Sequence, residues 1–282
     1  MSKVIPPSFS LAVILKALRL STMASVFEEY AERGVRQNWS FEDYLRELTE
    51  LELHERQRRR IERYIKESCL PAEKTFATFD KSRLPNKIRK QLPDLCKGYF
   101  LDRSENILAF GLPGRGKTHL LCAIGHELVR QERRVFYCST YKLVQRLLIA
   151  KRDLTLEKEL AKLDKFEAVL LDDIGYVKQT REEMEILFTF LAERYERRSV
   201  LITSNLVFSK WEQIFKDPMT TAAAIDRLVH HSTIMELTGK SFRAENAGKK
   251  WKKEKDGRSS NQTGKEAEGD EEDQDRDQEE KK

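Results

Sequence analysis

An eight-residue run near the middle of the chain constrains its fold more than any other feature. Gly111-Leu112-Pro113-Gly114-Arg115-Gly116-Lys117-Thr118 fits the pattern G-x-x-x-x-G-K-[ST] at every fixed position. The apolar run 107–110 precedes it and reads as a strand; residues 118–129 follow with helical periodicity. Glycines let the backbone curl until successive N–H groups converge on one anion. The helix that follows adds its partly positive N-terminus. In such a loop Lys117 is expected to reach the β- and γ-phosphates of a nucleotide, and Thr118 to offer its hydroxyl to Mg2+.

A phosphate loop needs a carboxylate on a neighbouring strand to complete a magnesium site. The apolar run 168–171 ends in Asp172 and Asp173. Asp172 is expected to hold the ion, directly or through water, and Asp173 to orient or deprotonate an attacking water. A third apolar run, 200–203, ends in Ser204 and Asn205, and Asn205 is the candidate to sense the terminal phosphate or its water. Arg227 precedes the last strand-like run, 233–237. An arginine there can project onto the phosphates of a neighbouring subunit; the competing reading is a surface ion pair with Asp226.

From residue 106 to about 242, apolar strand-like runs alternate with helical patterns, which reads as a mostly parallel sheet covered by helices on both faces. Upstream, residues 9–70 are helix-patterned. Leu15, Leu18, Met23, Val26, Phe27 and Tyr30 form one periodic set, and Phe41, Tyr44, Leu45, Leu48 and Leu51 a second. Ser40 followed by Asp43 marks a helix start. Pro71, Pro85 and Pro93 break up the stretch that joins the two regions.

Charge is uneven along the chain. Residues 265–282 carry ten acids and four bases, which leaves the other 264 residues at net +11. A basic body suits a polyanionic partner. Arg56, Arg58, Arg59, Arg60, Arg63 and Lys66, together with Lys142, Arg146, Lys151 and Arg152, are the candidates for it. Glu50, Glu52, Glu55 and Glu62 intersperse the first set, so helices laced with ion pairs are the alternative. No apolar stretch approaches the ~20 residues that cross a bilayer. No secretory pattern follows residues 11–15, and Cys69, Cys96, Cys122 and Cys138 form no C-x-x-C pair. A cytoplasmic protein with reduced thiols is expected. His230 and His231 lack ligand-pair spacing and read as structural.

Several motifs together resemble one family. The phosphate loop continued by His119-Leu120, Leu171-Asp172-Asp173-Ile174-Gly175-Tyr176, Ile202-Thr203-Ser204-Asn205 and the run from Asp226 to Arg243 are similar to the IstB ATP-binding proteins. Those are transposition helpers of bacterial insertion sequences, in the AAA+ clade with the DnaC-type helicase loaders. The resemblance extends upstream through residues 15–23, 40–45 and 76–80, and covers about residues 11–243.

The resemblance implies an α/β P-loop NTPase (AAA+) fold: a parallel sheet with flanking helices, a small all-α N-terminal domain before it and a disordered tail after it. The expected division is a helical DNA- or partner-binding module at 1–72, a connector at 73–104, an ATP-binding core at 105–245 and a charged tail at 246–282. Residues 111–119 are expected to bind ATP, with Thr118 and Asp172 holding Mg2+. Asp173 would act on water, Asn205 as first sensor and Arg227 as a finger supplied in trans; Arg243 stands as a candidate second sensor. Related proteins commonly carry glutamate where Asp173 stands, and the shorter acid implies slow turnover. The implied function is an ATPase, slow and dependent on assembly. It would form homo-oligomers on double-stranded DNA, with little sequence preference, and stimulate a partner transposase. A replicative helicase loader of the same clade is the nearest alternative. A small-molecule kinase and a DNA clamp that binds ATP without hydrolysis are the others.

Overall fold

The computed structural model describes residues 10–175, 180–206, 210–211, 218–239 and 241–242. Five strands form one sheet: β1 (Asn106–Phe110), β2 (Val135–Ser139), β3 (Ala168–Asp172), β4 (Ser199–Ser204) and β5 (Ser232–Glu236). Every pairing is parallel, in the order β2-β3-β4-β1-β5. Side chains alternate across a strand, so neighbouring residues enter different cores. Ile107, Ala109, Leu170 and Leu201 pack on one face; Leu108, Val169, Leu171, Val200 and Ile202 pack on the other. Burial on both faces is why these strands read as unbroken apolar runs rather than as alternating ones.

Helices close both faces. On the first lie α4 (Asn86–Lys97), the single turn α5 (Tyr99–Asp102) and α6 (Lys117–Arg130), through Ile88, Leu92, Phe100, Leu120, Leu121 and Ile124. On the second lie α7 (Thr140–Arg152), α8 (Leu156–Asp164), α9 (Arg181–Arg194) and α10 (Pro218–Val229), through Leu143, Leu147, Leu163, Leu187, Phe190 and Leu228. The stretch expected as a connector thus contributes α4 and α5 to the main core. Arg194, buried, ties the base of this layer together by donating to the carbonyls of Leu163, Phe166, Glu167 and Ser199.

The N-terminal helices are α1 (Leu11–Ala17), α2 (Met23–Arg36) and α3 (Phe41–Ser68). Their own cluster is small: Leu15, Met23 and Leu48 are its buried members. Glu52, 4% exposed, stabilises it with charge, accepting from the backbone N–H groups of Thr22 and Met23 at 2.8 and 3.1 Å and from Arg56 at 2.8 Å. A carboxylate at the start of α2 offsets the unsatisfied donors there. Phe41 and Leu45, counted with the apolar set of the sequence, are exposed instead. A capping box between Ser40 and Asp43 starts α3, with Asp43 N–H donating to the serine hydroxyl at 3.1 Å.

At 28 residues and about 1.5 Å per residue, α3 is long enough to lie against both parts of the molecule. Its far end joins the core through Tyr64 and through ion pairs Arg60–Glu132 and Arg134–Glu67. Cys69, in the left-handed conformation, ends the helix. The chain then runs back along α6: the Pro71 carbonyl lies 3.0 Å from His126 Nε2, and the Thr75 carbonyl 3.0 Å from His119 Nε2.

Candidate functional site

The phosphate loop leaves β1 at its C-terminal end and enters α6 at Lys117. Two of its glycines are sterically required. Gly111 has φ +147°, and a Cβ there would lie 2.5 Å from the Leu237 carbonyl oxygen. Gly116 has φ +85°, and a Cβ there would lie 3.2 Å from the Phe79 ring. Lys117 Nζ donates to the carbonyls of Gly111 and Leu112 at 2.7 and 3.2 Å, so its ammonium is folded back over the loop.

Parallel register brings the tip of β3 beside this loop. The Thr118 hydroxyl donates to Asp172 Oδ1 at 2.6 Å. Two residues that the sequence reading missed complete the carboxylate's surroundings. The Thr203 hydroxyl, at the end of β4, donates to Oδ1 at 2.7 Å; that of Tyr137, on β2, donates to Oδ2 at 3.1 Å. Tyr137 and Thr203 stand on the strands flanking β3, which only the sheet order reveals. Burial, with the Asp172 charge added, pushes the Tyr137 hydroxyl above its ordinary value, so it stays a donor. Asp173 follows at φ +62°, a conformation that aspartate tolerates better than most residues. Its backbone N–H donates to Thr203 Oγ1 at 2.8 Å.

Lys117, Thr118, Asp172, Asp173 and Thr203 line a cleft of about 470 Å³, which Lys74, Phe79, Asn205 and Phe242 also face. Asn205 Oδ1 is buried there with no hydrogen-bond partner among the described residues. A buried acceptor left unpaired costs about 1–3 kcal/mol, which a bound water or ligand donor would recover. A second hollow of about 310 Å³ adjoins the first, sharing Phe79, Arg115 and Phe242 and adding Arg83, Leu84 and Pro85. The Arg83 guanidinium stacks 4.3 Å over the Phe242 ring.

The donor set fits a magnesium nucleotide. Hydroxyl and carboxylate oxygens at Thr118 and Asp172 are the hard ligands that Mg2+ takes. Gly111 and Gly116 leave no room for side chains on the loop, and Asn205 Oδ1, without a partner among the described residues, is an acceptor for a bound water. His119 lines the same cleft, but its Nε2 lies 3.0 Å from the Thr75 carbonyl, so that nitrogen carries the proton and the ring serves the chain segment above it.

Arg227 is not in the cleft. It lies in the last turn of α10, near the base of the sheet, with its guanidinium 4.8 Å over the Phe188 ring of α9. His230 and His231 are exposed beside it: Tyr195 hydroxyl lies 3.1 Å from His230 Nδ1, and Glu196 pairs with His231 at 3.7 Å. Arg243 and the tail 246–282 lie outside the described residues. Along α3 the arginines are paired: Arg56 with Glu52, Arg58 with Glu55 and Glu62, Arg60 with Glu132, Arg63 with Glu67. On α7, Arg146 pairs with Glu159 and Arg152 with Asp153, while Lys142 and Lys151 are exposed and have no ion pair among the described residues. Burial pushes the Cys122 and Cys138 thiols up to about 12 and Cys96 to about 11, which leaves them unreactive.

Comparison with known proteins gives this chain a family and a set of relatives. The family described as IstB-like ATP binding protein matches residues 13–250. An insertion-sequence ATP-binding protein of Sinorhizobium fredii is 42% identical over 84% of this chain and 80% of its own length. The ATP-binding protein of insertion sequence IS21 from Pseudomonas aeruginosa is 34% identical over 83% of this chain and 88% of its own. Among solved structures, AMPPCP-bound DnaA from Aquifex aeolicus superposes with a TM-score of 0.51 at 19% identity, over 66% of this chain and 57% of that one. That likeness concerns the fold, which is the AAA+ arrangement.

Proposed function

This chain belongs to the IstB-like family of insertion-sequence ATP-binding proteins, and on that premise we propose that it is a slow, assembly-dependent ATPase that helps a transposase engage target DNA. The observation that carries the nucleotide half is the cleft itself: a glycine-built loop, Lys117, and a Thr118–Asp172 pair held by Thr203 and Tyr137. The names of the relatives favour a transposition helper over a helicase loader.

The base would lie in the hollow lined by Phe79, Arg83 and Phe242, and the phosphates over the loop. Lys117 leaves its two carbonyl partners for the β- and γ-oxygens. Mg2+, held by Thr118 and Asp172, would neutralise developing charge on the phosphates. Opening the 2.6 Å Thr118–Asp172 hydrogen bond frees both oxygens for it, while Thr203 and Tyr137 keep the carboxylate aimed. Asn205 Oδ1 accepts a hydrogen bond from the attacking water, and Asp173 receives its proton. Arg227, too far down the sheet to reach its own cleft, would meet the γ-phosphate of the next subunit.

Assembly on double-stranded DNA would follow ATP binding, with Lys142 and Lys151 as the unpaired cations for the backbone. A cytoplasmic location follows from this role; among the described residues no helix is long and apolar enough to cross a membrane. The test is Arg227→Ala. ATP binding should persist while DNA-stimulated phosphate release falls at least roughly 100-fold, in line with arginine fingers elsewhere. Hydrolysis at the unaltered rate would refute the intersubunit arrangement.

A further inference from the structure

Lys74 received no role from the sequence, yet it lines the phosphate cleft together with Thr78, Phe79 and Asp80 of the segment above α6. It is half-buried, and among the described residues its ammonium has no hydrogen bond or ion pair. A half-buried cation without a counter-ion is costly unless something supplies one. Its backbone is fixed on both sides: Lys74 N–H donates to the Pro71 carbonyl at 3.1 Å, Pro71 is held by His126, and Thr75 by His119. His119 and His126 are two turns apart on α6, so the lysine is suspended over the helix that carries Thr118.

The lysine also belongs to a particular end of the cleft. The hollow suited to a base shares Phe79, Arg115 and Phe242 with the cleft, but neither Lys74 nor Asp172 lines it. Lys74 lines the cleft that Thr118 and Asp172 also line. This is the end where the terminal phosphate of a triphosphate would stand.

We propose that Lys74 is a second phosphate-binding lysine, which contacts the γ-phosphate of ATP and so makes the site prefer a triphosphate to a diphosphate. The inference rests on the ATP-binding reading of the same cleft. It gives that reading a route outward, because α3 runs directly into the segment that carries Lys74. A terminal phosphate that draws Lys74 inward tightens this segment against α6, and its loss releases it.

The experiment measures binding of Mg2+ with ADP and with a non-hydrolysable ATP analogue to the full chain by calorimetry. Wild type should prefer the triphosphate. Lys74→Ala should weaken the analogue at least tenfold and ADP less than threefold, and Lys74→Arg should recover most of the loss. Removing an unpaired side chain should leave the melting temperature unchanged, which separates this result from misfolding. As a second readout, the triphosphate analogue but not ADP should protect the Lys74 amine of wild type from acetylation. An unchanged triphosphate preference in Lys74→Ala, or equal protection by both nucleotides, overturns the proposal and leaves the ATP site standing. A wild-type chain that binds neither nucleotide refutes the underlying reading as well.

Discussion

In the phosphate cleft Lys117 rests on carbonyl oxygens and Lys74 has no partner among the described residues, while Asn205 keeps a buried acceptor unpaired. Along α3, five arginines in eight residues are matched by carboxylates: Arg56, Arg58, Arg59 and Arg63 on the same helix about one turn away, and Arg60 across on Glu132. Both regions look like polyanion sites by composition. They differ in whether the charge is already satisfied. A cation such as Lys74, without an ion pair among the described residues, can be transferred to a ligand at small cost, whereas an arginine in an ion pair must first give up its partner. The pairing on α3 suits it to joining the N-terminal helices to the core, and the cleft to receiving a ligand.

The change that should disturb the cleft most is Gly116→Ala. At φ +85° an L-residue is strained by about 1–2 kcal/mol, and the added Cβ would press 3.2 Å from Phe79. Since about 1.4 kcal/mol is tenfold in affinity, ATP binding measured by calorimetry should fall at least tenfold. Unaltered affinity would mean that the loop's shape is not what holds the phosphates.

A middle-sized effect is expected at Glu52, where the two regions' logic meets in one buried acid. Burial alone would raise its pKa, but hydrogen bonds from Arg56, Met23 and Thr22 together outweigh it and hold the carboxyl below its ordinary 4.5. Its stabilisation is therefore present at neutral pH and is lost as pH falls through that lowered value. Glu52→Gln should cost about 1–3 kcal/mol at pH 7, and the gap to wild type in denaturant melts should close as pH falls through that lowered value. A gap that persists in acid would show that the charge is not what matters.

The smallest effect should come from Arg58→Ala. Its side chain is 58% exposed and its pairs with Glu55 and Glu62 are solvated, so stability should change by less than about 1 kcal/mol. DNA affinity and its salt slope, read by fluorescence anisotropy, should also change little, because a paired arginine releases few counterions. A large loss of DNA binding would break the contrast between the two regions.

Much of the cleft was legible in the sequence because its parts are local. The loop pattern and the acids Asp172 and Asp173 at the end of an apolar run each depend on residues a few positions apart, as does the Ser40–Asp43 cap of α3 outside the cleft. Asn205 was legible by its place after an apolar run. Tyr137 and Thr203 were not, since their contact with Asp172 depends on which strands flank β3. Lys74 and Phe79 were missed because they arrive with a segment that folds back over α6, a path that no periodicity encodes. On α3 the spacing foretold the pairs within the helix, but not Arg60–Glu132 or Arg134–Glu67, which cross to the core. Phe41 and Leu45 show the limit of periodicity: they keep the helical spacing yet remain exposed.

Titration of the full chain with ATP in a calorimeter, with and without magnesium, tests the central claim most directly. A magnesium-dependent heat that saturates near one nucleotide per chain, and disappears in Lys117→Ala, is the predicted result. No heat in wild type, or the same heat in Lys117→Ala, would contradict the assignment of this cleft to a magnesium nucleotide.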